Sequence, residues 1–178
     1  MQEVTPEAPA LVKDFLNTLD IESGSDGLDS PAALRRWIET RLGARSRSVD
    51  EDAWRAVIET RESLREVLAS HSGSEPNPDS LARLNRAGRS AQITPHWDDE
   101  GRATFEPHEG GAYGALGRIL AAVVASQSDG TWDRLKVCSA ENCRYAFYDH
   151  SKNRSGRWCE MRVCGNRAKT RTYRQRHG

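Results

Sequence analysis

The fold of the last 41 residues is decided by two short segments, CSAENC at 138–143 and CEMRVC at 159–164. Each segment begins and ends on a cysteine, which gives the pattern C-x4-C-x15-C-x4-C. Two close pairs at this separation can bring four thiolates to one point, and structural zinc sites favour closed tetrahedral sulfur coordination. A segment with so few large apolar side chains needs metal binding to supply folding free energy. The spacing therefore predicts one structural Zn2+ ion, held by Cys138, Cys143, Cys159 and Cys164.

The same cysteines could instead form two disulfides or remain free structural thiols. Residues 1–6 carry neither the basic nor the apolar part of an export signal. We therefore expect a cytoplasmic protein, in which thiols stay reduced and clustered cysteines usually bind metal. A catalytic zinc is disfavoured because such sites usually keep an open coordination position. The sequence shows no nucleophile elbow, phosphate-binding loop or pair of catalytic carboxylates, so we do not expect an enzyme.

The residues around the second cysteine pair predict a hairpin and a helix. A strand over 144–149 and a return strand over 157–159 would form the hairpin, with a polar turn between them. Asn166 is a favourable N-cap for a helix that continues to Arg176. A zinc knuckle, a hairpin and a helix that begins at the second cysteine pair together predict a treble-clef-like zinc finger.

The preceding residues predict a mainly α-helical fold. Apolar side chains recur at the i, i+3, i+4 and i+7 positions that are typical of buried helix faces. Ser30 is the expected cap of the second helix, and Asp79 or Ser80 is the expected cap of the fourth. The five predicted helices lie near residues 11–19, 30–42, 50–68, 79–85 and 113–124.

A change of pattern near residue 91 predicts a small β-hairpin within the helical part. Short apolar segments flank an acidic turn between 91 and 107, although Pro95 cannot donate to a central ladder. We therefore divide the chain into a helical domain at 1–133, called the body, and a zinc finger at 134–178, called the finger.

Two polar residues are expected on the apolar side of body helices. Arg61 is flanked at helical spacing by Val57 and Leu64, and Asn85 follows Leu84. A partly buried guanidinium needs a carboxylate or an anionic ligand, so Arg61 and Asn85 are candidates for binding a small-molecule effector. The alternative is a structural Arg at the edge of the apolar stripe, with its stem packed and its head in solvent.

Charge is distributed unevenly along a chain whose net charge is zero. The finger contains 12 Lys and Arg against three Asp and Glu, whereas the body contains 14 against 23. The finger therefore carries a net charge of +9 and the body −9. A basic surface attracts phosphates and releases their counterions, so nucleic acid is an expected partner. Opposite charges also raise the hypothesis that the body masks the finger, and no apolar run suggests a membrane partner.

The second cysteine pair carries a recognisable motif. The string Cys164-Gly165-Asn166-Arg167, preceded by Arg157-Trp158-Cys159, resembles the CGNR zinc finger. The stretch Asp149-x-Ser151-Lys152-Asn153 matches the polar turn of that family. Two residues depart from the family pattern: Gly156 stands where an Arg is common, and Glu160 where a small polar residue is common. Both departures reduce positive charge near the turn.

The body resembles the ABATE domain, which usually precedes this finger. The resemblance lies in Phe15-Leu16-Asn17-Thr18, in Leu84-Asn85 and in the order of the helices. Proteins with this pair of domains are regarded as bacterial, stress-related transcription regulators. The resemblance therefore implies DNA binding by the finger and signal sensing by the body.

These features lead to the hypothesis of a zinc-dependent, sequence-specific transcription regulator that binds double-stranded DNA. Asn166 and Arg167 suit a phosphate or a base edge at the expected helix start, because Asn and Arg make bidentate contacts with adenine and guanine. The other candidate DNA contacts are Lys169, Thr170, Arg171, Tyr173, Arg174 and Arg176 on the helix, with Lys152, Arg154 and Arg157 in the turn. The alternative is a zinc-stabilised protein-interaction module that docks an acidic partner. A nucleoid-associated location is expected for a DNA-binding protein, and a homodimer is a candidate assembly because one finger reads few base pairs.

Overall fold

The computed structural model describes residues 4–44, 48–73, 75–108 and 110–177. These residues form six α-helices and three two-stranded antiparallel hairpins. The helices are α1 (Glu7–Leu16), α2 (Pro31–Leu42), α3 (Glu51–Ser70), α4 (Pro78–Ala91), α5 (Gly111–Ser128) and α6 (Asn166–His177). The strands are β1 (Leu19–Asp20), β2 (Ser25–Asp26), β3 (Ile93–Trp97), β4 (Ala103–Pro107), β5 (Leu135–Val137) and β6 (Ala146–Tyr148). Within the described ranges, no helix combines the length and the apolar character that a membrane span requires.

The predicted mainly α-helical fold with a small β-hairpin is confirmed, and capping explains where its helices begin. Ser30 caps α2 as expected. The start predicted for α4 is wrong because Asn77, rather than Asp79 or Ser80, is the cap. Its side-chain oxygen accepts a hydrogen bond from the amide of Asp79 at 2.9 Å, and Pro78 occupies the first helical position. A proline loses nothing there, since the first amides of a helix have no partner within the helix.

α1 ends earlier than the apolar periodicity predicts. Leu19 pairs with Asp26 across the β1–β2 hairpin instead of extending the helix. Asn17 terminates α1 as its C-cap. The chain therefore turns back between α1 and α2 through a short hairpin, where the sequence indicated only a loop.

The hydrophobic core surrounds α5, which contacts each of the helices α1 to α4. Leu116 and Ile119 on this helix have no exposed surface, whereas Val124, which was expected in the core, is 41% exposed. The other elements contribute fully buried side chains to the same cluster: Val12, Phe15, Leu16, Leu28, Leu34, Ile38, Leu68 and Leu135. Removal of this apolar surface from water is the main stabilising contribution to the body.

α4 packs with a different face from the one predicted. Its buried residues are Ser80, Ala87 and Ala91, which are small and allow the helix to approach α3 and α5 closely. Leu81 is 41% exposed and Asn85 is exposed. The prediction that Leu81 and Asn85 face inward is wrong because the small residues set the rotation of the helix.

The finger begins inside the hydrophobic core of the body. Leu135 and Val137 of β5 and Ala146 of β6 are buried in the same cluster as the body helices. β6 pairs with β5, so the predicted hairpin between 144–149 and 157–159 is wrong. Residues 157–159 do not form a strand. Pairing with β5 is favoured because α3 packs against β5 and buries its apolar side chains.

Candidate metal centre and nucleic-acid interface

The four cysteine sulfurs form one compact cluster. The sulfur atoms of Cys138, Cys143, Cys159 and Cys164 all lie within 4.8 Å of one another. The Cys143–Cys159 and Cys159–Cys164 sulfur pairs are 3.6 and 3.7 Å apart. Sulfurs placed tetrahedrally at about 2.3 Å from zinc are separated by about 3.8 Å from one another. The four cysteines are free thiols, and their spacing fits one structural zinc ion.

Four thiols this close together resist joint ionisation. Burial raises the pKa of Cys164 to about 11, with a further contribution from Cys143. Burial and the neighbouring Cys143 also raise the pKa of Cys159. Burial acts in the same direction on Cys138, but backbone amides of Cys159 and Ala140 donate to its sulfur, and its pKa is lowered. Thiolates this close together need a cation, so zinc would displace protons when it binds.

The first cysteine pair lies on a tight knuckle. The amides of Cys143 and Arg144 both donate to the carbonyl of Ala140, at 2.9 and 3.0 Å. Arg144 adopts a φ of +48°, which lets the chain reverse directly after the second ligand. The amide of Ser139 donates to the carbonyl of Arg157 at 2.9 Å. This bond ties the knuckle to the segment that carries the second cysteine pair.

The second cysteine pair leads into a continuous helical segment. One π-helical turn, Met161–Gly165, directly precedes α6, and the amide of Cys164 donates to the carbonyl of Glu160 at 3.0 Å. Asn166 has helical backbone angles of −69° and −39°, and its amide donates to the carbonyl of Met161. The prediction that Asn166 is the N-cap is therefore wrong, because helical hydrogen bonding begins one turn earlier.

Gly165, the second residue of the CGNR string, permits close packing. It does not adopt a left-handed backbone angle. A Cβ atom at this position would collide with the side chain of Met161 and lie 3.2 Å from Cδ1 of Trp158. The absence of a side chain therefore lets the π-helical turn pack against Trp158.

A buried ion pair that the sequence analysis missed links the hairpin to the basic turn. Nζ of Lys136 donates to Oδ2 of Asp149 at 2.8 Å, and the two side chains are 7% and 4% exposed. Nζ of Lys136 also donates to the carbonyls of Arg154 and Gly156. Burial opposes ionisation of Asp149, but Lys136 and the amides of Ser151 and Gly156 hold its pKa well below its usual range. The only sequence signals were a lysine between two apolar strand residues and the aspartate of the family's turn.

Gly156 packs closely against this ion pair. Its amide donates to Oδ2 of Asp149 at 2.7 Å. A Cβ atom on Gly156 would lie 2.8 Å from Cγ of Asp149, closer than carbon atoms normally approach. A side chain at position 156 would therefore require the carboxylate of Asp149 to shift.

Polar contacts attach the finger to the body. Nδ2 of Asn17 donates to the carbonyl of Ala146 at 2.8 Å, and Oδ1 of Asn17 accepts from the amide of Ala146 at 2.8 Å. The buried Arg65 donates to the carbonyl of Arg144 at 2.9 Å, and Arg144 pairs with Glu66 at 2.6 Å. These contacts hold the zinc knuckle against α1 and α3.

Arginines along the helical segment formed by Met161–Gly165 and α6 share one exposed face. A groove of about 790 Å3 is lined by Arg162, Val163, Asn166, Arg167, Thr170, Arg171, Arg174 and Gln175. We define the basic face as six of these residues: Arg162, Asn166, Arg167, Thr170, Arg171 and Arg174. Arg162 was missed because the helix was expected to begin after it. The predicted contacts Lys169, Tyr173 and Arg176 are exposed but do not line this groove.

The basic residues of the turn are separate from this groove. Lys152 is exposed. Arg154 pairs with Asp133 at 3.3 Å, and the guanidinium of Arg157 lies 5.7 Å from the ring centroid of Trp158. The turn residues thus form a second basic strip, and two of its three members already have partners within the chain.

One residue of the basic face contacts the body. Nη1 of Arg167 donates to Oε1 of Glu22 at 2.5 Å, across 145 positions of sequence. The two side chains remain 50% and 42% exposed. The carboxylate of Glu22 raises the pKa of Arg167. The acidic body therefore reaches the basic face through the loop between β1 and β2.

The two candidate effector-binding residues differ in their surroundings. Arg61 is buried as predicted, and its two Nη atoms donate to the carboxylate of Asp26 at 2.7 and 2.8 Å. Arg61 also donates to Glu62 and Thr18, at 2.9 and 3.1 Å. The carboxylate of Asp26 therefore occupies the place that an anionic ligand would take. Asn85 lies on the exposed side of α4.

This geometry defines a zinc-finger protein whose finger is mounted on a helical domain. A family model for the CGNR zinc finger matches residues 134–177. The ABATE family model, described as "Putative stress-induced transcription regulator", matches residues 9–128. The chain belongs to the ABATE family and carries a CGNR zinc finger, as the sequence motifs predicted. No curated protein matches the chain.

Proposed function

We propose that the protein regulates transcription by binding double-stranded DNA sequence-specifically through its zinc finger. The basic face carries this proposal, since its four arginines are exposed along one side of a helical segment that contains the zinc ligand Cys164. The major groove of B-DNA admits an α-helix. Arginine contacts with phosphates supply affinity and register, while one or two base contacts supply specificity.

Within this proposal, Asn166 and Arg167 read bases with their side chains. The amide of Asn166 is already used within the helical segment, so a phosphate at a helix N-terminus is not part of the mechanism. Nδ2 of Asn166 donates to the carbonyl of Arg162 at 3.0 Å, which leaves Oδ1 to accept from a base. Arg162, Arg171 and Arg174 are assigned to phosphates. The residues Lys169, Thr170, Tyr173, Arg176, Lys152, Arg154 and Arg157 would extend the contact area.

Two arginine variants test which residues bind phosphates and which bind bases. With zinc-loaded protein, Arg174→Ala should weaken binding to all duplexes alike. It should also reduce by about 0.9 the steepness with which the logarithm of the binding constant falls with the logarithm of salt concentration. Arg167→Ala should instead reduce discrimination between preferred and random duplexes by about 1–3 kcal/mol. The measurement is fluorescence anisotropy at several salt concentrations.

Arg36→Ala on the exposed side of α2 is the matched control, and it should leave both quantities unchanged. Binding curves of Arg167→Ala and Arg174→Ala that matched those of the parent on both kinds of duplex would contradict the assignment.

A second candidate function is the docking of an acidic protein. Met161 and Val163, at the start of the helical segment, are 49% and 38% exposed, and such side chains could provide an apolar anchor beside the arginines. Retention of random duplex DNA at low salt and its release at high salt would favour DNA binding. No binding to duplex DNA at any salt concentration would favour the protein partner.

A further inference from the structure

Arg167 differs from the other arginines of the basic face in having a carboxylate partner. Among the residues that the structure describes, Arg167 pairs with Glu22, whereas Arg162, Arg171 and Arg174 pair with none. Glu22 and Arg167 are both partly exposed, so DNA could reach the guanidinium without breaking the pair. This contact joins the body to the residue proposed to read a base.

The loop that carries Glu22 is held in place by several hydrogen bonds. Oδ1 of Asp20 accepts from the amides of Glu22 and Ser23 at 3.0 and 3.3 Å. The loop is closed by the β1–β2 pairing, in which Asp20 lies opposite Ser25. Asp26, at the end of β2, is anchored by the buried Arg61. A carboxylate on such a loop can fix the position of a mobile arginine side chain.

The geometry of the contact leaves Arg167 able to read a base. Only Nη1 of Arg167 donates to Glu22. The Nε and Nη2 atoms form the other donor edge of a guanidinium, and in the described part of the chain neither has a partner. Two donors on one edge match O6 and N7 of guanine. Glu22 therefore orients the guanidinium and leaves free the edge that a bidentate base contact requires.

The charge of Glu22 has a separate effect on affinity. A carboxylate beside the basic face repels phosphates, which lowers affinity for any duplex regardless of sequence. A preferred site offsets this repulsion through the oriented contact, whereas a random site does not. The oriented contact therefore increases the ratio of specific to non-specific affinity, whereas the repulsion alone leaves that ratio unchanged.

From these observations we infer that Glu22 is a positioning residue that raises the sequence discrimination of the finger by orienting Arg167. The inference rests on the proposed function, and it assigns part of the DNA specificity to the body. It differs from simple masking, in which Glu22 would lower affinity for all sequences equally and leave the ratio unchanged.

The test compares Glu22→Gln with Glu39→Gln in the full zinc-loaded chain. Glu39 is a matched control because it pairs with an arginine, Arg35, and its side chain is 38% exposed. In Glu22→Gln, the affinity for random duplex should rise about twofold to threefold. Discrimination between preferred and random duplexes should fall about fivefold, while Glu39→Gln should match the parent.

A second measurement does not depend on DNA. In the free protein, 15N relaxation of the Arg167 side-chain Nε–H group should show restricted motion that Glu22→Gln releases and Glu39→Gln does not. Equal mobility of Arg167 in the parent and in Glu22→Gln would overturn the inference. An unchanged discrimination ratio in Glu22→Gln would also overturn it, whether affinity for all duplexes rises or stays constant. Absence of any DNA binding by the parent would instead refute the proposed function itself, and the role of Glu22 with it.

Discussion

The body and the finger are stabilised by different means. The body buries large aliphatic and aromatic side chains around α5, and its helices α2, α3 and α4 have side-chain N-caps. Beyond the first cysteine, the buried hydrophobic residues of the finger are only Ala146 and Cys164 among the described ones. Hydrophobic burial can fold the body, whereas the finger depends on zinc and on a small number of buried polar contacts.

The comparison also shows that the two parts are not independent. The hairpin that opens the finger contributes Leu135 to the core of the body. Asn17 and Arg65 of the body bind backbone groups of the finger. The body therefore holds in place a metal-dependent finger, which we propose binds DNA.

Zinc removal should have the largest effect, and it should be confined to the finger. Structural zinc contributes about 10–16 kcal/mol in small zinc domains. Cys164→Ser, or chelation of the metal, should therefore disorder residues 159–177 while the helices of the body persist. Amide hydrogen exchange checks this prediction residue by residue.

Restoring zinc to the chelated parent is the control and should recover protection in the finger. Loss of protection at Leu116 and Ile119 in the core of α5, together with the finger, would show that the body also needs the metal.

Breaking the buried ion pair should destabilise the zinc-loaded protein by about 3–5 kcal/mol. Lys136→Met leaves the carboxylate of Asp149 buried without its cation. Urea unfolding monitored by circular dichroism provides the measurement. Lys152→Met, at an exposed lysine of the same turn, should change the free energy of unfolding by less than about 0.5 kcal/mol. Equal effects of the two variants would refute a stabilising role for the pair.

Zinc affinity should rise with pH in the neutral range. Burial raises the pKa values of Cys159 and Cys164, the latter to about 11. Both thiols are therefore protonated at pH 7, and zinc must displace their protons. For each proton that zinc displaces, the affinity of the site for zinc increases about tenfold per pH unit. Competition titrations with a chromophoric chelator between pH 6 and pH 8 should show this slope, and a pH-independent affinity would contradict the thiol assignment.

Loss of the Asn17 contact should weaken the attachment of the finger to the body. Its effect on the free energy of unfolding should be smaller than that of breaking the ion pair. Asn17→Ala removes two hydrogen bonds and leaves both backbone groups of Ala146 without their partner. We expect a loss of about 1–3 kcal/mol in the free energy of unfolding with zinc still bound. Asn85→Ala, at an exposed asparagine of α4, is the control and should be neutral. Loss of zinc from Asn17→Ala would show that metal binding requires attachment of the finger to the body.

The sequence was most informative where local chemistry determines structure. The C-x4-C-x15-C-x4-C spacing predicted the metal cluster, and the apolar periodicity predicted helices α1 to α5. The sequence did not reveal the rotation of α4, because small residues such as Ala87 carry little hydrophobic signal. It did not predict the pairing of β5 with β6, which depends on burial against a distant helix.

Long-range polar contacts were also invisible in the sequence. Asn17 and Ala146 are separated by 129 positions, and Arg167 and Glu22 by 145. Arg61 was correctly placed in a buried position, but its partner Asp26 lies in a hairpin that no pattern indicated. Pairing of this kind depends on the tertiary fold rather than on spacing along the chain.

We propose that zinc creates a DNA-reading surface on a body that folds without it. Selection of bound duplexes from a random pool, with zinc-loaded and zinc-depleted protein in parallel, tests this claim most directly. We expect enrichment of a short motif by the zinc-loaded protein, loss of that enrichment after depletion, and a weaker motif with Arg167→Ala. A zinc-loaded protein that enriches no sequence, or one that enriches the same motif without zinc, would contradict it.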